Sequence, residues 1–136
     1  MEKIFYKKRK KYKYFLDRPY EIYIEIKPDN GVVTPYIELS SEGRLTVKSP
    51  YAWDGPSGPT IDTKSFMRGS LVHDALYQLM REREIDLKHR EYADDLLRKL
   101  CLKDGMNKFR AWYVHKLVRK FGASSATPDA DLIVAP

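Results

Sequence analysis

Near the middle of this chain the hydrophobic period changes, and no other feature restricts its folding as much. Through residues 11–48 apolar side chains recur at every second position; from about Thr63 they recur at every third or fourth. Successive side chains of a strand point to opposite faces, whereas a helix gathers residues i, i+3 and i+4 into one stripe. One segment cannot bury its apolar residues both ways, so strands must come first and helices second. The expectation is an α+β domain, a small antiparallel β-meander of three or four strands followed by a three-helix part. At 136 residues the chain is the size of one domain that can bury a core without disulfide or metal staples.

Within the first half, "YEIYIEI" sets Tyr20, Ile22, Ile24 and Ile26 on one face and Glu21, Tyr23 and Glu25 on the other, as in a half-buried antiparallel strand. "KPDNG" reads as a turn in which Gly31 takes positive φ. "VVTPYIEL" then points Val33, Ile37 and Leu39 inward, and Pro35, which has no N–H for a ladder, places this strand at an edge. "SSEG" turns into the short strand "RLTVK", which completes a meander over residues 14–48. Residues 50–62 are dense in Pro and Gly yet hold Trp53 and Asp54, so they form a shaped loop rather than a linker.

Residues 63–122 carry the three helices. Val72, Ala75, Leu76, Leu79 and Met80 make the first stripe, which runs to about Glu84 with a break at Gly69-Ser70. Asp86 caps a second helix whose core side is Ala93, Leu96, Leu97, Leu100 and Cys101, and Gly105 ends it. Asn107 caps a third, with Phe109, Trp112, Tyr113, Leu117 and Phe121 as its apolar side, and Gly122 ends that one.

The formal net charge of +6 is concentrated at one end. Residues 1–13 hold seven of the 25 basic residues and one of the 19 acidic ones, so the remaining 18 of each sign cancel. Lys7, Lys8, Arg9, Lys10 and Lys11, with Phe5, Tyr6, Tyr12 and Tyr14 around them, make an N-terminal arm suited to a polyanion, either phosphate backbone or an acidic protein face. A solvated, solubilising terminus would carry the same composition. The tail, residues 123–136, has no period and ends on Leu132, Ile133 and Val134. It buries too little surface to order alone, so its ordering calls for a protein partner, a second copy or its own core. No apolar run approaches the roughly 20 residues of a membrane span. Cys101 has no partner for an internal bridge and the first residues lack a secretory apolar region, which together point to a reducing cytoplasm.

The chemistry-bearing stretch is "SLVHDALYQLM". On a helix His73 and Tyr77 stack one turn apart, and Asp74 lies about 100° around from His73. In "REYADD", Ala93 joins the core face and Asp94 stands at its edge, one turn after Arg90. If these two helices pack antiparallel, Asp94 reaches His73. A carboxylate that accepts from one imidazole nitrogen fixes the tautomer and leaves the other nitrogen to take a proton from water. Asp74, with Asp54 and backbone carbonyls, suits a hard divalent cation, Ca2+ or Mg2+, able to polarise a carbonyl or phosphoryl oxygen. The competing reading is structural: a His-Asp pair at a helix edge can bond loop backbone, and Tyr77 can simply bury its ring. His89 and His115 read as solvated, and Ser57 as part of a turn. No CxxC, HExxH, P-loop or GxSxG pattern is present, and no second His or Cys stands at zinc-ligand spacing from His73.

The motifs "DGPSGP" (Asp54, Ser57, Pro59), "VHDALY" (His73, Asp74, Tyr77), "REYAD" (Arg90, Ala93, Asp94) and "VRKFG" (residues 118–122) resemble the phage and bacterial family catalogued as domain of unknown function 1353. The likeness spans roughly residues 20–122 and implies a bacteriophage or prophage origin without an established activity. A looser likeness is to secreted phospholipase A2, whose paired helices carry His-Asp followed by Tyr, with another Asp facing them. By that likeness His73 looks like the base, Asp74 a calcium ligand, Asp94 the orienting carboxylate and Tyr77 its support. The cysteine framework and glycine-rich calcium loop of that family are missing from this sequence.

The expected function is that of a small phage-encoded hydrolase, activating water through His73 with a divalent cation, on an ester or phosphodiester of an anionic substrate. The alternative is a non-catalytic virion or host-interaction protein whose arm and tail dock on partners. The host cytoplasm, or the virion, is the expected location.

Overall fold

Strands precede helices, as the change of period requires. In this computed structural model the described residues are 2–9, 13–53 and 64–128. The α+β architecture is as expected, with antiparallel sheets of three and four strands followed by helices. The larger sheet holds β3 (Tyr20–Tyr23), β4 (Val32–Val33), β5 (Ile37–Leu39) and β6 (Arg44–Val47) in the order β3-β6-β5-β4. The second sheet, which the hydrophobic pattern did not reveal, joins β1 (Tyr6–Arg9), β2 (Lys13–Leu16) and β7 (Ala52–Trp53) in the order β1-β2-β7.

Part of the basic N-terminal segment is therefore a strand, with Tyr6 opposite Leu16 and Arg9 opposite Lys13. Its aromatic residues account for this. Tyr6 lies edge-on to Tyr14 and Trp53, at centroid separations of 5.6 and 6.0 Å, and Tyr14 and Trp53 are buried. Such T-shaped pairs add to the area that the rings remove from water.

"VVTPYIEL", read as one strand, is a hairpin. Thr34 makes the turn: its N–H and hydroxyl both donate to the Ile37 carbonyl, and its Oγ1 accepts from the Ile37 N–H. The alternation restarts across that turn, so Val32 rather than Val33 shares the buried face with Ile37 and Leu39; Val33 is 76% exposed. Between β5 and β6, Gly43 adopts φ +89°, and a Cβ there would sit 2.3 Å from the Ile24 carbonyl oxygen, so only glycine fits.

Among the described residues four helices follow: α1 (Lys64–Arg81), α2 (Arg90–Lys103), α3 (Lys108–Phe121) and the single turn α4 (Ala123–Ala126). α1 runs unbroken through Gly69-Ser70, where a break was expected, and stops at Arg81, short of Glu84. Gly69 serves packing: a Cβ there would stand 3.0 Å from Leu97 Cδ1 and 3.1 Å from Cys101 Sγ, so its absence lets α1 and α2 approach closely. Ser70 Oγ donates to the Met67 carbonyl and accepts from the Trp53 indole, which pins α1 to β7. Asp86 caps a 3-10 turn at Leu87–His89, one step before α2, by accepting from the Lys88 N–H at 2.7 Å. Asn107 caps α3 as expected, accepting from Arg110 N–H at 2.8 Å.

The sheets and α1 share one core, in which Leu16, Tyr20, Ile37, Leu39 and Leu45 meet Leu71, Leu76 and Leu79, all fully buried. Each aliphatic side chain of this kind contributes roughly 1.5–3 kcal/mol when it leaves water. A smaller cluster of Phe66, Leu97, Cys101, Met106, Ala111 and Val114 joins α1, α2 and α3. Burial raises the Cys101 thiol to about 12, so it packs as an apolar group. The expected apolar side of α3 is corrected here: its buried residues are Ala111 and Val114, whereas Phe109, Trp112, Tyr113 and Phe121 are exposed. Small residues let α3 settle closely on its neighbours, and that rotation turns the aromatics outward. α4 belongs to the expected tail and buries Ala126; Leu132, Ile133 and Val134 lie outside the described residues.

Candidate functional site

Antiparallel packing of α1 against α2 brings His73 and Asp94 together. His73 Nε2 lies 2.7 Å from Asp94 Oδ1, and the Tyr77 hydroxyl donates to the same oxygen at 2.5 Å. The other oxygen, Oδ2, accepts from Arg119 Nη1 at 2.8 Å, with Arg90 Nε 3.9 Å away. Asp94 is wholly buried, and three donors from α1 and α3 replace the water it lost. Burial alone would raise its pKa, but the bonds from His73, Tyr77 and Arg119 and the charge of His73 outweigh it and hold the carboxyl below the usual range.

The network continues outward. Tyr77 lies one turn from His73, its ring centroid 4.0 Å from the imidazole, and its hydroxyl oxygen accepts from Arg90 Nε at 3.1 Å. Arg90 Nη2 donates to the carbonyls of Val118 and Arg119 at the C-terminal end of α3, each at 2.8 Å; the Val118 carbonyl also accepts from the Gly122 N–H at 2.9 Å. Gly122 closes the cage. A Cβ there would meet the Val118 carbonyl oxygen at 2.5 Å and the Tyr77 hydroxyl at 2.7 Å.

With Nε2 committed to an ionised carboxylate, Nδ1 is the nitrogen left for proton transfer. Its neighbour is Asp74, whose Oδ1 is 3.8 Å away, beyond hydrogen-bond reach. The His73 side chain is 8% exposed and that of Asp74 34%, so the accessible edge of the site lies on the Asp74 side. Burial works against protonation of His73, yet the carboxylates of Asp74 and Asp94 prevail and hold its pKa above the ordinary histidine value. The Tyr77 phenol is pushed strongly upward, first by burial and then by Asp94, and so remains a donor.

Of the residues expected to carry chemistry, His73, Tyr77 and Asp94 form one bonded unit, and Asp74 stands at the other side of the imidazole. Asp54 lies outside the described residues, as do Lys10 and Lys11. Lys7 projects from β1 at 3.3 Å from Asp17; Lys8 and Arg9 continue that strand. Among the described residues no three His, Cys, Asp or Glu side chains come together as a metal site. One described carboxylate, Asp74, is too few for the roughly six to eight oxygens that Ca2+ takes, so an ion beside it would need further oxygen ligands.

Two participants were given no role from the sequence. Arg90 had a signal, since it precedes Asp94 by one helical turn. Arg119 had none, because only the placement of α3 brings it to Asp94. His115, expected in solvent, pairs with Asp95 at 2.7 Å. A second buried ionic group sits elsewhere on α1: Arg68 makes a two-pronged bond to Asp104, at 3.0 and 2.9 Å, and reaches the Tyr20 hydroxyl at 3.3 Å. A cleft of about 700 Å³ between β3 and α2, lined by Glu21, Tyr23, Arg68, Tyr92, Asp95 and Lys99 among others, includes neither His73 nor Asp94. No helix among the described residues is long and apolar enough to cross a membrane.

Comparisons with protein-family models, curated proteins and solved structures gave no match.

Proposed function

We propose that this chain is a small hydrolase in which His73 activates water for attack on an ester or phosphodiester of an anionic substrate. The observation that carries this reading is the 2.7 Å bond from His73 Nε2 to the buried Asp94, itself fixed by Tyr77 and Arg119. Such a bond sets the tautomer that leaves Nδ1 as the base, and it stabilises the imidazolium formed when that base takes a proton. Asp74, at the accessible edge, is the residue that would face a cation; Ca2+ or Mg2+ held there with Asp54 would weaken its pull on the His73 proton. Lys7, Lys8 and Arg9 on β1, with Lys10 and Lys11 next in the sequence, supply attraction for an anionic substrate. A phage origin is what the motif resemblance implies, and the host cytoplasm or the virion is the proposed place of action.

A second reading has its own support. Asp94 is fully buried with both oxygens engaged, and its donors join α1 to α3 across α2. A network of that kind also specifies helix packing in a protein that catalyses nothing, such as a virion or host-interaction component. Turnover of nitrophenyl esters and of bis-nitrophenyl phosphate, with Ca2+, Mg2+ or Mn2+, separates the two. The hydrolase reading expects turnover that His73→Gln abolishes while the melting temperature moves by a few degrees. Absence of turnover with every probe, or equal turnover by His73→Gln, leaves the packing role.

A further inference from the structure

Amphipathic helices ordinarily keep their large apolar residues on the core side, whereas α3 turns aromatic ones outward together with its polar residues. Its inward stripe is Ala111 and Val114, with Val118 packed beside them. Around the helix, Phe109, Tyr113, Lys116 and Lys120 fall opposite that stripe and Trp112 flanks them. Phe109 is 74% exposed, Tyr113 43% and Trp112 42%; Phe121, at the end of the helix, is 66% exposed. Three aromatic rings within two turns of solvent-facing helix cost free energy in water, since surface apolar groups of this size are ordinarily placed where they meet a partner.

The charges indicate which partner. α3 carries Lys108, Arg110, Lys116, Arg119 and Lys120 and no acidic residue. Lys116 Nζ lies 5.0 Å from the Trp112 ring and Lys120 Nζ 5.5 Å from the Phe121 ring, so the cations stand level with the aromatic rings. Flat contact with an anionic bilayer asks for this mixture: rings enter the headgroup region, and ammonium groups on flexible stems reach the phosphates. Tyr and Trp favour that interface because one part of each ring is apolar and another polar.

We infer that the outer face of α3 is a docking surface for an anionic lipid bilayer, gripping it with Phe109, Trp112 and Tyr113 and recognising its charge through Lys116 and Lys120. Other occupants fit less well. A second copy packed on this face would gather the like charges of two α3 helices. Single-stranded nucleic acid needs ring platforms on which bases stack, whereas Phe109 and Trp112 lie 5.9 Å apart and tilted by 34° on a convex ridge. The inference is independent of hydrolysis at His73.

The test uses the full chain with vesicles of phosphatidylcholine alone and of phosphatidylcholine with phosphatidylglycerol. Trp53 is buried and Trp112 is exposed, so a blue shift of emission on binding reports the α3 face. Expected are sedimentation with the anionic vesicles, weakening with added salt, and a blue shift that Trp112→Phe removes without removing binding. The exposed pair Phe109→Ser/Tyr113→Ser should lose affinity by about tenfold or more at unchanged melting temperature, and Lys116→Glu/Lys120→Glu should lose the preference for anionic lipid. No vesicle binding, or binding undiminished in both pairs, overturns the inference. So does a dimer or a complex with single-stranded nucleic acid that these residues disrupt while vesicles stay unbound.

Discussion

Two neighbouring residues of α2 each hold a histidine at the same distance, and they do different work. Asp94 meets His73 at 2.7 Å inside the helix packing, and Asp95 meets His115 at 2.7 Å on the surface. The Asp94 side chain is 0% exposed and that of Asp95 60%. Adjacent positions on a helix point about 100° apart, which is enough to put one carboxylate among α1 and α3 and its neighbour in water. Equal lengths therefore hide unequal energies. The surface pair competes with water and salt, whereas the buried pair has no solvent to fall back on if a partner is lost. A His-Asp distance becomes informative about chemistry only once its surroundings are known.

The sharpest way to break the contrast is to remove each carboxylate. Asp94→Ala should cost about 3–5 kcal/mol in urea unfolding, because His73 and Tyr77 are left buried without their acceptor and the partly exposed Arg119 loses its partner. Asp95→Ala should cost well under about 1 kcal/mol in the same measurement. Equal costs would mean that burial does not separate the two pairs.

The cage around the buried pair can be strained without touching either member. Gly122→Ala places a methyl where the Val118 carbonyl and the Tyr77 hydroxyl stand, at 2.5 and 2.7 Å, and should cost about 1–3 kcal/mol. Calorimetry should show a lower melting temperature and, under the hydrolase reading, a reduced turnover number.

Protonation sharpens the comparison further. The raised pKa of His73 gives stability that is fully present below the ordinary histidine value and is lost as pH climbs through the higher folded-state value. The lowered pKa of Asp94 gives stability present above the ordinary aspartate value and lost as pH falls through the lower folded-state value. Stability should therefore be greatest between those two limits, and His73→Gln should flatten the alkaline decline. Activity through a neutral His73 should rise over the same alkaline range in which stability falls. A pH–rate profile that follows stability instead would assign the titrating base elsewhere.

The smallest effect belongs to the surface pair. His115→Ala should move the melting temperature by no more than a degree or two, and added salt should shrink even that.

Much of the fold was legible because local pattern and final burial agree. Leu97, Leu100 and Cys101 on α2 repeat at helical spacing and are buried, and Asn107 caps α3 from its own sequence position. Legibility failed where one residue pair reset the pattern, as at Thr34 and Ile37, whose bonds split an apparent strand into a hairpin and turned Val33 outward. It failed again for α3, where periodicity identifies an amphipathic helix without saying which face is the inner one. The aromatic residues promised more burial, and Ala111 and Val114 won because they allow closer helix packing. The site was partly legible for the same reasons. His73, Asp74 and Tyr77 sit within one helical turn and Arg90 precedes Asp94 by another, so spacing alone grouped them; Arg119 comes from a third helix.

By itself the sequence determined that strands would give way to helices, where α2 and α3 would end, and that His73 and Asp94 would sit on the core-facing edges of two helices. Those are consequences of side-chain period and capping, which act within a few residues. Tertiary structure alone decided that Arg119 would close the ring of donors around Asp94, that Asp95 would be left in water, and that α3 would show its aromatics to the outside. Each depends on how helices rotate and approach one another, and that rotation is set by the fit of all the packed faces together rather than by any one segment.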